Sequence, residues 1–68
     1  MTRKVLIIDD DAVPRVLLRK AFLSCKEIEF LVSAAENADE ADSFMEKDTF
    51  DVVTVDLKLG REVEAGFL

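Results

Sequence analysis

Apolar runs of unlike length and period organise this chain. Lys4 to Ile8 reads K-V-L-I-I without polar alternation, the pattern of a strand covered on both faces, as parallel strands are. Leu17, Leu18, Ala21, Phe22 and Cys25 recur instead at helical spacing, with Arg15, Arg19, Lys20 and Lys26 between them. Ala12 to about Cys25 is therefore predicted as an amphipathic helix, with Pro14 in its first turn, where proline is tolerated. Glu29 to Ala34 is apolar but too short for another helix and reads as a strand. Asn37 with Glu40 three residues on is a variant of the capping box, and Ala38, Ala41, Phe44 and Met45 supply the apolar face of the helix it opens, whose other face is acidic. Asp51 to Asp56 makes a third strand, and Gly60 to Gly66 a loop leading to Phe67 and Leu68. The resulting order, β-α-β-α-β, predicts an α/β fold with a parallel sheet and right-handed crossovers. No repeat, low-complexity tract or linker interrupts it, so residues 1–68 form one domain or part of one.

Composition narrows the function classes. The chain has 68 residues, half of them apolar, with 35% charged and five phenylalanines as the only aromatics. That balance fits a globular α/β piece rather than a disordered, fibrous or membrane-spanning one. A fold this short buries only about 60% of its unfolded surface, so further partner surface is expected. The net charge of −6 disfavours direct contact with nucleic-acid phosphates or an anionic membrane. There is no histidine for acid-base work. Cys25 stands alone, which excludes an internal disulfide or a multi-cysteine zinc site, fits a reducing compartment, and is expected to be a small buried hydrophobe on the first helix. The basic start, Met1 to Lys4, is followed by a four-residue apolar run, far short of a signal peptide or a membrane span, so the expected location is cytoplasmic.

The candidate chemistry lies where the strands end. Asp9, Asp10 and Asp11 follow the first strand, and Asp56 closes the third. In an open parallel sheet the carboxyl ends of the strands share one edge, outside which ligands bind. Many doubly wound folds place a glycine-rich phosphate loop after the first strand; acids at that position would repel a bare phosphate, and nucleotide binding is the weaker reading. Magnesium suits the set better, because it takes oxygen ligands and is usually held by one or two carboxylates plus waters and substrate phosphate oxygens. Acids before a helix also cap its free N–H groups, and Asp11 is expected to do only that.

Taken together, Val5-Leu6-Ile7-Ile8-Asp9-Asp10-Asp11, the helix start Arg15-Val16-Leu17-Leu18, and Asp51-Val52-Val53-Thr54-Val55-Asp56-Leu57, at this separation, resemble the receiver domain of bacterial two-component response regulators. The resemblance runs along the whole chain. It implies a flavodoxin-like doubly wound parallel sheet, here in the order 2-1-3, with Asp56 as the acceptor of a phosphoryl group from a sensor histidine kinase. It further implies Mg2+ held directly by Asp10, through water by Asp9, and by Asp56 and the backbone carbonyl of Lys58. A carboxylate is a competent nucleophile once its charge is offset, which is what such a cation does.

Two departures qualify what the resemblance implies. Gly60 stands where the family usually has proline, and Gly66 comes about two residues later than its counterpart, which loosens the assignment of Lys58. The chain also stops where the family's third helix begins, so its fourth strand, with a hydroxyl residue, and its fifth, with a lysine, are expected to be missing. Neither Lys47 nor Lys58 lies on a motif that would replace them. Phosphotransfer is then expected to be impaired, and the third strand to form a naked edge through which two copies meet as a homodimer. The alternative is a non-signalling half-domain that acts as a self-associating interaction module. An enzyme with turnover comes third, for want of histidine, activated serine or phosphate loop.

Overall fold

The computed structural model describes residues 1–57. The elements are β1 (Thr2–Asp9), α1 (Ala12–Leu23), β2 (Glu29–Ala35), α2 (Ala38–Lys47) and β3 (Val52–Asp56). The predicted Gly60–Gly66 loop and the residues after it lie outside the described region. The strands form one sheet in the order β2-β1-β3, with both pairings parallel. This is the β-α-β-α-β arrangement of a flavodoxin-like doubly wound fold: the apolar pattern predicts the element order and the parallel sheet, and the resemblance implies the order 2-1-3.

β1 occupies the centre because its run is apolar on both faces. Val5, Leu6 and Ile7 are fully buried and Ile8 nearly so; each contributes about 1.5–3 kcal/mol on leaving water. Successive side chains point to opposite faces. Leu6 and Ile8 join Ala35 and Ala41 in one cluster, over which Phe44, Phe50 and Leu57 pack. Phe22 of α1 meets Phe30 of β2 edge to face, with ring centroids 5.0 Å apart. Phe30 pairs in register with Arg3, so α1 covers the face that carries Val5 and Ile7. Helices therefore lie on both sides of the sheet, one to each face.

The helix ends follow local hydrogen-bond chemistry. Asn37 caps α2 by accepting from the Glu40 amide at 2.8 Å, and Glu40 reaches back to the Glu36 amide at 2.9 Å. This is a capping box whose return bond lands one residue before the cap itself. α1 stops at Leu23, short of the predicted Cys25: the Ser24 amide makes the last i→i−4 bond, to the Lys20 carbonyl at 3.0 Å, the Cys25 amide then tightens onto the Phe22 carbonyl at 3.2 Å, and the Ser24 hydroxyl donates to the Ala21 carbonyl at 2.9 Å. Cys25 is therefore half-buried beyond the helix rather than buried on it.

Burial also corrects the predicted helix faces. α1 has no buried residue; Leu18 and Phe22 are half-buried, whereas Leu17 is 62% exposed and Ala21 is exposed too. On α2, Ala41 is buried and Phe44 half-buried, but Ala38 and Met45 face outward. A three-stranded sheet is narrow, so each helix meets it along a thinner stripe than its apolar residues could fill. Asp51, predicted as the first residue of the third strand, precedes β3. Its amide donates to the Lys4 carbonyl and its carboxylate accepts from the Lys4 amide, both at 2.8 Å, which fixes where β3 joins β1.

Candidate functional site at the carboxyl edge of the sheet

The sheet register brings the predicted acids to one edge. Asp9, the last residue of β1, is the in-register partner of Asp56, the last residue of β3. Two strands separated by more than forty residues of sequence thus end in carboxylate side by side. Their environments differ sharply. Asp9 is 1% exposed, while Asp10, Asp11 and Asp56 are exposed.

Asp9 is built into the turn that follows it. Its Oδ1 accepts from the Asp11 amide at 2.9 Å, an Asx-type turn that redirects the chain from strand to helix. Asp11 then takes the N-cap position of α1, and its Oδ1 accepts from the Val13 amide at 3.3 Å. The expected role of Asp11 as the helix starter is therefore observed. The second carboxylate oxygen of Asp9, Oδ2, is buried and has no hydrogen-bond partner among the described residues. A buried unsatisfied polar atom is uncommon in folded proteins and calls for an ion or water to complete it. The donor chemistry fits a hard cation, since every side-chain ligand in the predicted set is a carboxylate oxygen.

Among the described residues, no three acidic, cysteine or histidine side chains converge as a ready-made metal cage. Magnesium does not demand one, because it keeps several of its waters and needs only one or two carboxylates from the protein. Asp9, Asp10 and Asp56 are the described members of the predicted set, and Lys58 lies outside the described residues. Thr54, in register with Ile7 on β3, holds a second buried oxygen without a partner among the described residues, its Oγ1.

Arg15 is the functional candidate that the helical pattern hides. Its spacing assigns it to the polar face of α1, yet its side chain is only 21% exposed. Nη1 donates to the backbone carbonyl of Asp9 at 2.9 Å, and Nη2 lies 3.9 Å from Oε1 of Glu36, just past the end of β2. A base one turn into a helix that starts from three acids was the available signal.

No helix among the described residues is long and apolar enough to cross a membrane. Compared with models of protein families, with curated proteins and with solved structures, the chain matches none of them.

Proposed function

We propose that this chain is a phosphoacceptor module of two-component signal transduction, in which Asp56 takes a phosphoryl group from a histidine of a sensor kinase. The observation that carries the reading is the in-register pairing of Asp56 with Asp9, whose Oδ2 is buried and, among the described residues, unpartnered. It supports a divided site: an exposed carboxylate open to a reacting group, beside a buried one suited to holding a cation. In the transfer, a carboxylate oxygen of Asp56 attacks phosphorus as the P–N bond to the kinase imidazole breaks, and the imidazole nitrogen takes up a proton. Asp10, Asp9, Asp56 and the Lys58 carbonyl are the residues that would hold Mg2+. When bound, the cation offsets charge on the phosphoryl oxygens and on the acids around them.

Acetyl phosphate with Mg2+, acid quench and intact mass tests this directly. The native chain is expected to gain a single phosphoryl adduct slowly, and Asp56→Asn to gain none. A native chain that never gains the adduct from acetyl phosphate or from a phosphorylated kinase would remove the reading.

One observation favours a second reading, a self-associating module. Among the described residues, neither α1 nor α2 packs on β3, and Val52, Val53 and Val55 are 37%, 42% and 64% exposed. The partner would be a second copy, paired edge to edge through β3. Antiparallel pairing is the favoured direction, since it keeps Asp56 of one copy away from Asp56 of the other. Sedimentation of the whole chain across a range of concentrations distinguishes the readings: a monomer throughout excludes the module.

A further inference from the structure

Arg15 joins three segments that frame the acidic edge. It sits one turn into α1, its Nη1 holds the last carbonyl of β1, and its Nη2 approaches Glu36 beyond β2. The chain through Asp9, Asp10 and Asp11 is thereby gripped from two directions. Arg15 holds the Asp9 carbonyl, and the Asp9 carboxylate holds the Asp11 amide two residues on. Asp9 Oδ2 is what these contacts leave over.

We infer that Arg15 is a positioning residue for cation binding: by fixing the Asp9 carbonyl it sets the direction in which the Asp9 and Asp10 carboxylates leave the edge of the sheet. The inference rests on the magnesium reading of that edge. A planar guanidinium suits the task because its rigid fork spans two acceptors, whereas a lysine ammonium is a point charge on a flexible stem. Groups that orient a metal's ligands typically change affinity by about 10- to 100-fold when removed.

The sign of the effect separates positioning from simple electrostatics. Arg15 is positive and repels a dication, so if charge alone mattered, Arg15→Gln would tighten Mg2+ binding. Positioning demands the opposite.

The test is a Mg2+ titration of the whole chain, read from the backbone amide resonances of residues 9–11, so that only folded molecules report. Arg15→Gln is expected to weaken binding by about 10-fold. Arg15→Lys, the milder variant should the first fail to fold, is expected to weaken it by less. Urea unfolding in a chelator records any loss of fold separately. Affinities in both variants equal to or tighter than the native value would overturn the inference while leaving the magnesium reading intact. A native chain whose amides ignore Mg2+ would remove the magnesium reading, and this inference with it.

Discussion

β1 and β3 carry nearly the same kind of residue and live in different surroundings. Val5 to Ile8 are buried on both faces and paired along both edges, whereas three of the four residues from Val52 to Val55 stand exposed on a strand that, among the described residues, pairs only with β1. An apolar run therefore states what a strand requires, while its neighbours decide whether the requirement is met. β1 has β2, β3 and both helices around it. β3, among the described residues, has one strand.

Truncation in the two strands should give the widest difference. Leu6→Ala removes a fully buried side chain from the central cluster and is expected to cost about 2–5 kcal/mol. Val53→Ala, in register with Leu6 on the same face, should stay within about 0.5 kcal/mol, as exposed substitutions do. Urea midpoints at constant slope measure both. If the two costs were equal, β3 would be covered in solution, and its exposure would not distinguish it from β1.

The same comparison applies to the acids that end the strands. Asp9→Asn keeps an acceptor for the Asp11 amide but removes a buried charge that has other acids beside it. It should stabilise the metal-free chain by about 1 kcal/mol and abolish any stabilisation by Mg2+. Asp56→Asn, at an exposed position, should shift metal-free stability by no more than about 0.5 kcal/mol. Unfolding in chelator and in Mg2+ separates the terms. Equal shifts would mean that burial does not distinguish the two carboxylates.

The helix starts give a smaller contrast. Asn37 accepts from its amide at 2.8 Å and belongs to a reciprocal pair, while Asp11 accepts at a looser 3.3 Å. Asn37→Ala should cost about 1 kcal/mol and Asp11→Ala about half of that. Reversed costs would show that Asp11 contributes to the acidic edge more than to the cap.

How much of this was legible follows from the physics of each signal. Element order and parallel pairing came from period and length: K-V-L-I-I leaves no amphipathic choice, and β-α-β alternation points to a parallel sheet, whereas the order 2-1-3 came from the family resemblance. The co-location of Asp9 and Asp56 followed from both ending their strands. Burial was less legible, because it depends on what stands opposite: Leu17 and Met45 fit their helical patterns but find no sheet beneath them. Arg15 was missed for the converse reason, since helical spacing treats a base as solvent-facing and takes no account of a carbonyl at the end of the preceding strand. The Lys4 contacts were likewise hidden, joining residues more than forty positions apart.

The finest test concerns the opposite end of β1, where Lys4 Nζ lies 2.6 Å and 2.8 Å from the two carboxylate oxygens of Asp48. The hydrogen bond from Lys4, aided by the Thr49 amide, holds the Asp48 carboxyl below the ordinary carboxylate range. A carboxyl lowered on folding stabilises the native state above its unfolded value, and that contribution is lost as pH falls through the folded value. Both side chains are about two-fifths exposed, so solvent and salt screen the pair and the effect is small. Asp48→Asn should therefore unfold at nearly the native urea midpoint in strong acid and somewhat below it near neutrality. Lys4→Met should narrow the same gap, and added salt should shrink it further. Other carboxylates titrate in this window in both chains, so the difference between native and variant is the quantity to read. A gap that widens as pH falls would mean that something other than the Lys4 ammonium holds the Asp48 carboxyl at the end of α2.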